Sequence, residues 1–161
     1  MPSRSALPQS PKLVVFDFDG VFTDNRVLVH EDGTESVLCN RSDGLGIERL
    51  ADKGIPMLIL STETNKVVSA RARKLGIPCR QGIDNKLRTL KSILKKRRID
   101  PKEVVFVGND VNDLECLQWV GCGIAVRDSV PAVLSKAKIV LRKEGGKGAV
   151  REVCDLLAGK R

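Results

Sequence analysis

Residues 12–20 read Lys-Leu-Val-Val-Phe-Asp-Phe-Asp-Gly, and this stretch decides the fold. Its first part, Lys12–Asp17, has the length of a β-strand and is apolar almost throughout, without alternation. A strand of this kind is buried on both faces, which is typical of a parallel sheet covered by helices. Two carboxylates and a glycine follow at the strand end, where open α/β sheets place their ligands.

Short apolar runs and helical stretches alternate through the rest of the chain. Further strands are predicted at Ile55–Ser61, Glu103–Gly108, Gly123–Val126 and Lys138–Leu141. Helices are predicted at Gly44–Lys53, Asn65–Leu75, Asn85–Arg98, Leu114–Val120, Val130–Lys136 and Gly148–Ala158. We therefore predict an α/β fold with a Rossmann-like parallel sheet flanked by helices.

One segment interrupts this alternation. Arg26–His30 and Glu35–Cys39 are β-prone runs on either side of the turn-forming residues 31–34. They predict a β-hairpin inserted after the first strand. The other connections are short, so we expect no cap domain over the sheet.

Length and composition indicate one domain. The 161 residues are 42% hydrophobic and 30% charged, which is enough for a substantial core. Residues 1–11 are rich in proline and serine, so we expect a flexible N-terminal tail instead of a signal peptide, followed by a single domain over residues 12–161. The five cysteines form no C-x-x-C pair, which fits reduced thiols in the cytoplasm. No apolar run is long enough to cross a membrane.

The formal net charge of +8 raises the question of a nucleic-acid partner. Much of the excess lies in residues 86–98, where cations recur along a predicted helix. A solvated helix face explains this pattern, and attraction of an anionic substrate is a second explanation. Because aromatic residues are only 3% of the chain, no stacking platform accompanies the charge. We expect neither a nucleic-acid partner nor a membrane partner.

Asp17 and Asp19 form the first candidate for chemistry. Alternation along a strand directs both carboxylates the same way and Phe18 into the core, and Gly20 permits a sharp turn. Two close carboxylates repel each other unless a cation or a shared proton compensates them. Taken alone, the pair fits a solvated strand end equally well.

A second acidic loop follows a second apolar strand. Residues 108–113 read Gly-Asn-Asp-Val-Asn-Asp. One interpretation is a helix N-cap, with Asp110 or Asp113 accepting from free N–H groups. Together with Asp17 and Asp19, the loop also predicts a converging carboxylate site of the kind that Mg²⁺ requires.

Two more polar groups complete a set for phosphoryl transfer. Ser61 and Thr62 end another strand and offer donors to phosphate oxygens, while Lys86 offers a positive charge near a helix start. Phosphoryl transfer needs a nucleophile, a proton donor for the leaving oxygen and cations on the non-bridging oxygens. The sequence supplies residues of each type.

In this order, D-F-D-G-V, S-T, the lysine and G-N-D-x-x-D resemble the four motifs of the haloacid dehalogenase superfamily. The resemblance implies that Asp17 attacks phosphorus to form an aspartyl-phosphate. Asp19 would protonate the leaving alcohol and then activate water. Ser61 would bind the transferring phosphoryl group, and Lys86 would neutralise Asp17 and the phosphate.

The same resemblance implies a magnesium site. Asp17, the Phe18 carbonyl and Asp110 would hold Mg²⁺, and Asp113 would support the site. The full set of implied metal-site residues is Asp17, Phe18, Asp19, Asp110 and Asp113.

The hairpin, the missing cap, D-G-V-F-T-D at 19–24 and G-G-K-G-A-V-R-E-V-C-D-L-L at 145–157 are similar to a capless branch of that superfamily. The branch contains 3-deoxy-octulosonate 8-phosphate phosphatases, nonulosonate 9-phosphate phosphatases and C-terminal domains of some CMP-sialate synthetases. The resemblance implies a phosphomonoesterase acting on a 3-deoxy-ulosonate phosphate, with the nine-carbon class favoured. It also implies a homotetramer that assembles through the hairpins, in which a neighbour's C-terminal segment helps close each site.

The chain departs from the octulosonate pattern at two places. Ser61-Thr62-Glu63 stands where those enzymes carry T-G-R, and Ser42-Asp43-Gly44 stands where they carry R-D-G. Glu63 can accept from sugar hydroxyls or an ammonium group, or it is an exposed first-turn residue favoured by the helix dipole. The implied substrate-binding residues are Thr23, Asp24, Asp43, Thr62, Glu63, Asn109 and Lys147.

Lys147 lies in the glycine-rich stretch 145–148, which has two interpretations. It is either a plain approach to the last helix or a mobile segment that reaches a neighbour's site. Two alternatives to an active phosphatase also stand: a non-catalytic tetramerisation domain, and a response-regulator-like receiver. A receiver carries its lysine after the last strand and lacks the second aspartate of D-x-D.

Overall fold

The computed structural model describes residues 6–8 and 10–159, and its centre is a six-stranded sheet. Every neighbouring pair of strands in this sheet is parallel. The strands, in spatial order, are β5 (Cys79–Arg80), β4 (Met57–Leu60), β1 (Leu13–Phe16), β6 (Val104–Gly108), β7 (Cys122–Ala125) and β8 (Ile139–Val140). Because β1 lies between β4 and β6, the carboxyl ends of these three strands meet at the middle of one edge.

Helices cover both faces of the sheet. One face carries α1 (Ser42–Asp52), α2 (Lys66–Leu75) and α6 (Ala149–Ala158). The other carries α3 (Lys86–Arg97), α4 (Leu114–Trp119) and α5 (Pro131–Leu134). Along β1, Val14 and Phe16 join the first core while Leu13 and Val15 join the second, and all four are fully buried. The continuous apolar run therefore serves two cores, as its sequence predicts.

The inserted hairpin is present but short. Its strands are β2 (Leu28–Val29) and β3 (Glu35–Ser36), which pair antiparallel in a separate two-stranded sheet. The sequence predicts longer strands at 26–30 and 35–39. Pairing stops early because β2 packs no side chain into either core, so only two residue pairs form the ladder.

Two other elements differ from the prediction. The strand β5 is not predicted, since a two-residue edge strand leaves no apolar run to recognise. The helix α5 is shorter than residues 130–136, and Ser135 donates its hydroxyl to the Ala132 carbonyl directly after the helix. Two short 3₁₀ turns, Pro101–Glu103 and Val111–Asp113, flank β6.

The chain ends bear on the domain boundaries. Residues 1–5 and 9 of the tail predicted to be flexible lie outside the described residues, as do residues 160 and 161. Ala6 and Leu7 pack against the first core and Pro11 is buried, so this part of the stretch is docked on the domain. Within the described ranges, none of the helices combines the length and apolar character needed to cross a membrane.

Candidate active site at the carboxyl edge of the sheet

A cavity of about 260 Å³ opens where β1, β4 and β6 end. Polar side chains from all three strand ends reach it. Its lining residues are Asp17, Asp19, Asn25, Ser61, Thr62, Asn109, Asp110, Val111 and Asn112. A larger cavity of about 810 Å³ lies between α1 and α6, but it is remote from these strand ends and carries no part of this chemistry. The smaller cavity is the candidate active site.

A buried ion triad forms the floor of the site. The Lys86 ammonium lies 2.7 Å from Asp17 Oδ1 and 2.6 Å from Asp113 Oδ1. Burial, and after it the Asp113 charge, raise the pKa of Asp17, while Lys86 opposes both, and together they bring it to about 7. Burial lowers the pKa of Lys86, but the two carboxylates outweigh burial and hold it above its ordinary value. Two carboxylates share one ammonium, so the triad has a negative charge that a cation would compensate.

Asp113 supports the site from behind. Its Oδ1 accepts from Lys86, and its Oδ2 accepts from the backbone N–H groups of Asn109 and Asp110, at 2.9 and 3.3 Å. Gly108 makes room for it, since a Cβ there would lie 2.5 Å from Asp113 Cγ. Both oxygens are thus engaged within the protein, which is consistent with the supporting position that the resemblance implies for Asp113.

Asp110 lies at the rim of the cavity and caps the 3₁₀ turn that follows β6. Its Oδ1 accepts from the Val111 N–H at 2.7 Å, and Asp113 closes a capping box with the Asp110 backbone. The N-cap interpretation of this loop is therefore confirmed. It does not exclude a metal site, because the Asp110 carboxylate also lines the cavity.

The loop after β1 presents Asp19 to the cavity and Phe18 to the core. Phe18 is fully buried and stacks on Phe22 with ring centroids 5.6 Å apart. Burial raises the pKa of Asp19, Glu63 adds to this rise, and Lys86 opposes it. Gly20 turns the chain at φ +79°, and a Cβ there would lie 2.0 Å from the end of the Asn109 side-chain amide.

Asn109 connects the two acidic loops. With its amide assigned so that the nitrogen faces acceptors, it donates to Asp17 Oδ2 at 3.1 Å and to the Asp19 carbonyl at 3.0 Å. Asp17 is therefore held at both oxygens, by Lys86 and by Asn109.

The end of β4 contributes hydroxyl groups. Ser61 is buried and its Oγ accepts from the Glu63 N–H at 3.1 Å, while Thr62 is exposed. The Glu63 carboxylate accepts from the N–H groups of Thr64 and Asn65 at 2.7 and 2.9 Å. Asn65 is the N-cap of α2, so Glu63 precedes the helix and the first-turn interpretation is wrong.

Three residues implied to bind substrate lie away from the cavity of their own chain. Asp24 pairs with Arg26, and Lys147 pairs with Glu144 at the surface. Asp43 is buried under α6, where it accepts from the Arg151 N–H at 3.0 Å. Burial raises the pKa of Asp43 to about 6. For Asp24 and Asp43 these positions correct an expected contact with substrate, whereas the contact of Lys147 with a neighbour's site stays a prediction.

Thr23 is also implied to bind substrate, but it shapes the loop instead. It is fully buried, and its hydroxyl oxygen accepts from the N–H groups of Gly20 and Asn25 at 3.1 and 3.2 Å. Asn25, which the sequence reasoning missed, lines the cavity in the left-handed region at φ +65°. The sequence does contain a hint of this position, because asparagine is one of the residue types that tolerate the left-handed conformation. Val111 and Asn112 were also missed.

The donors at this edge suit a hard cation. Asp17 and Asp110 supply carboxylates, and Asn109 supplies an amide oxygen. In residues 6–8 and 10–159, no three or more His, Cys, Asp or Glu side chains are arranged to hold a metal ion. In proteins, Mg²⁺ is commonly held by one or two carboxylates and keeps several waters.

The topology and the site together define a class of protein: a doubly wound α/β phosphoryl-transfer hydrolase with a D-x-D strand end and a buried lysine. The family model for haloacid dehalogenase-like hydrolases matches residues 80–153. The 3-deoxy-D-manno-octulosonate 8-phosphate phosphatase KdsC of Escherichia coli K12 is 37% identical over 153 residues, which cover 94% of this chain and 81% of the relative. The corresponding Salmonella typhi enzyme is 37% identical over 147 residues, covering 91% and 78%.

Solved structures agree with these relatives. A putative HAD family hydrolase from Streptomyces avermitilis superimposes with a TM-score of 0.92 at 48% identity, covering 96% of this chain and 90% of that one. The Moraxella catarrhalis 3-deoxy-D-manno-octulosonate 8-phosphate phosphatase, solved with magnesium, phosphate and KDO, gives 0.91 at 33% identity, covering 96% and 88%. The chain belongs to the haloacid dehalogenase-like hydrolases and, within them, to the KdsC phosphatase family. The predicted resemblance, the capless fold and the enzyme class are confirmed, and the receiver alternative is excluded.

Proposed function

We propose that this phosphatase hydrolyses a 3-deoxy-ulosonate phosphate with Mg²⁺, through an aspartyl-phosphate on Asp17. The observation that carries the proposal is the triad of Asp17, Lys86 and Asp113 beneath a cavity lined by Asp19, Ser61 and Asp110. In this arrangement the restrained carboxylate of Asp17 lies beside a second acid, Asp19, at the same cavity.

Asp17 is suited to be the nucleophile. Lys86 and Asn109 each hold one of its oxygens, so the carboxylate cannot rotate away from an incoming phosphorus. Lys86 favours the ionised form that attack requires, and it remains beneath the site to compensate negative charge as the phosphoryl group arrives.

Asp19 is suited to be the general acid and base. Burial and the Glu63 charge raise its pKa, which increases the fraction that is protonated near neutral pH. The protonated form would give its proton to the leaving oxygen. The carboxylate so formed would then accept a proton from the water that hydrolyses the aspartyl-phosphate.

Ser61 and Thr62 complete the phosphoryl pocket as hydroxyl donors at the end of β4. Asp17 and Asp110 would hold Mg²⁺. The Phe18 carbonyl, the third ligand that the resemblance implies, already accepts from two backbone N–H groups of its own loop and does not line the cavity. When bound, the ion would stabilise negative charge on the phosphoryl oxygens. The residual negative charge of the Asp17–Lys86–Asp113 triad supports a cation at this position.

The substrate class follows from the relatives. Several KdsC enzymes at 37% identity act, by name, on 3-deoxy-D-manno-octulosonate 8-phosphate, and this favours the eight-carbon substrate first. Glu63 favours a nonulosonate 9-phosphate as the second candidate, because an acidic group stands where the octulosonate pattern has arginine. The competing function, a non-catalytic tetramerisation domain, has no physical need for the intact triad.

We also propose a cytoplasmic homotetramer that assembles through the hairpin. Val27, Leu28, Val29 and Leu38 on the hairpin are between 49% and 75% exposed, which is unusual for apolar side chains. Lys147 faces solvent in its own chain, where it pairs with Glu144. This surface pair leaves it within reach of a neighbouring subunit's substrate. Sedimentation of a Leu28→Ser, Leu38→Ser double variant should show loss of the tetramer, and an unchanged oligomer would count against this assembly.

The enzymatic proposal is tested by phosphate release with Mg²⁺. The panel contains octulosonate 8-phosphate, nonulosonate 9-phosphate and ordinary sugar phosphates, with wild type compared with Asp17→Asn. Asp52→Asn is the matched control, since Asp52 lies exposed on α1 away from the strand ends. We expect turnover in wild type and in the control, and none in Asp17→Asn. Turnover that survives in Asp17→Asn, or no turnover of any substrate by wild type, would contradict the proposal.

A further inference from the structure

The glycine-rich segment Gly145–Gly148 lies flat against the loop that follows Asp19 in the same chain. The Gly146 N–H donates to the Val21 carbonyl at 3.1 Å. A Cβ on Gly145 would lie 2.0 Å from the Gly20 carbonyl oxygen, and a Cβ on Gly146 would lie 2.5 Å from the Asp24 nitrogen. Neither position accepts a side chain unless one of the two backbones moves.

The segment is anchored on both sides, so a clash with it would be passed on to the loop that follows Asp19. The Gly145 N–H donates to Asp128 Oδ1 at 2.9 Å. The segment runs directly into α6, whose N-cap Gly148 has no side chain to cap the helix. Asp43 on α1 supplies that cap by accepting from the Arg151 N–H. The first residues of α6, Ala149 and Val150, are fully buried.

The loop on the other side of the contact carries Asp19. Asp19 precedes Gly20 directly, and within the described part of the chain its carboxylate has no hydrogen bond that fixes it. Its position therefore depends on its backbone. Asp17 differs, because its N–H is bonded to the Val107 carbonyl at 2.9 Å and its carboxylate to Lys86. A shift of the Gly20 peptide would therefore move Asp19 more than Asp17, although Asn109 contacts both residues.

From these contacts we infer that Gly145 and Gly146 are positioning residues for Asp19. They pack against residues 20–24 so closely that no side chain fits between the two backbones. This contact determines the position of Asp19, the general acid. The inference rests on the proposed function, in which Asp19 protonates the leaving oxygen.

The test compares two leaving groups in Gly145→Ala. An alkoxide leaves only if it is protonated, whereas p-nitrophenolate leaves without a proton. The parameter is kcat/KM, which covers the steps up to formation of the aspartyl-phosphate. We expect kcat/KM for the sugar phosphate to fall by about 100-fold, the cost of roughly 1 Å of misplacement, and that for p-nitrophenyl phosphate by no more than about threefold. Asp19→Asn should give the same selective pattern.

Gly146→Ala and Gly76→Ala form a matched pair. The two glycines have φ of +70° and +68°, so alanine strains both backbones equally, but nothing lies within 4 Å of a Cβ on Gly76. Only Gly146→Ala should show the selective loss. Equal losses on both substrates, or no loss on either, would show that the segment is merely structural and would overturn the inference.

Folding and activity are separated by two further readings. If Gly145→Ala does not fold, Asp128→Ala is used instead, because it loosens the segment without a clash. It should lower kcat/KM for the sugar phosphate by a smaller factor and again spare p-nitrophenyl phosphate. An unchanged ratio of the two kcat/KM values in Asp128→Ala overturns the inference. If wild type hydrolyses neither substrate, the proposed function fails first, and Asp19 then has no proton transfer to be positioned for.

Discussion

The Lys86 ammonium and the Asp17 carboxylate lie 2.7 Å apart, and both side chains are almost completely removed from solvent. A buried lysine is costly unless it is paired, and here Asp113 pairs with it as well. Lys86 lowers the pKa of Asp17 against the burial that raises it, and so favours an ionised and restrained nucleophile.

Removing the lysine should therefore destabilise the fold as well as stop turnover. Lys86→Met leaves two buried carboxylates unpaired, and we expect the free energy of unfolding to fall by about 3–5 kcal/mol at pH 7.5. The loss should be smaller at pH 5, because protonation of the carboxylates removes the unpaired charge. Urea denaturation at both pH values measures this change in the free energy of unfolding. Lys95→Met on the exposed face of the same helix is the control, and an equal effect of the two substitutions would contradict the role of the triad.

Magnesium affinity should depend on pH through Asp17. Its pKa is raised to about 7 by burial, so below pH 7 a proton competes with the metal for this carboxylate. The dissociation constant for Mg²⁺, measured by calorimetry without substrate, should rise about tenfold per pH unit below 7 and level off above it. Asp110→Asn should weaken binding at every pH and keep this slope. A dissociation constant that does not change between pH 5 and pH 8 would show that Asp17 is not the titrating ligand.

Glu63 should tune the general acid. Its charge contributes to the raised pKa of Asp19, so Glu63→Gln should lower that pKa. Hydrolysis of an alkyl phosphate requires protonated Asp19, and the alkaline limb of the kcat/KM profile should therefore move to lower pH. Glu31→Gln in the exposed hairpin turn is the control. An alkaline limb that stays in place in Glu63→Gln would contradict the assignment of Asp19.

Asp43 should affect stability and not catalysis. Its pKa is raised from 3.8 to about 6, so the folded state holds its proton more tightly than the unfolded state does. This stabilises wild type least above pH 6, and the contribution is recovered as the pH falls through 6 towards 4. Asp43→Asn keeps an acceptor for the Arg151 N–H and removes the ionisation. We expect the stability advantage of the variant over wild type to grow as the pH rises from 4 to 6.5 and to keep its full size, at most about 3 kcal/mol, above that range.

The same variant tests the placement of Asp43. Because the side chain caps α6 and does not line the cavity, kcat/KM of Asp43→Asn should stay within about threefold of wild type. Chemical denaturation across this pH range and steady-state kinetics check the two claims separately. A large fall in kcat/KM with unchanged stability would return Asp43 to the substrate site.

The sequence predicts the centre of the sheet well. The long apolar strands β1, β4 and β6 are predicted to within two residues, because burial on both faces leaves a continuous apolar run. The two-residue strand β5 and the early end of the hairpin ladder depend on pairing with neighbours, which no local pattern records.

The candidate site divides in the same way. Residues directly at strand ends, such as Asp17, Ser61 and Asp110, are predicted because the parallel sheet itself brings them together. The position of Asp43 depends on how α6 packs on α1, and the resemblance therefore suggested a contact that its side chain does not make with the cavity.

The central claim is that Asp17 carries the phosphoryl group, and trapping that intermediate tests it most directly. Asp19→Asn should still form it from p-nitrophenyl phosphate, which needs no proton, but should hydrolyse it slowly for want of a base. Acid quenching followed by digestion and mass spectrometry should place an alkali-labile phosphoryl group on the peptide containing Asp17. No such adduct should form when Asp17→Asn is added to Asp19→Asn. An alkali-stable phosphoryl group on Ser61, or no adduct during turnover, would contradict the account.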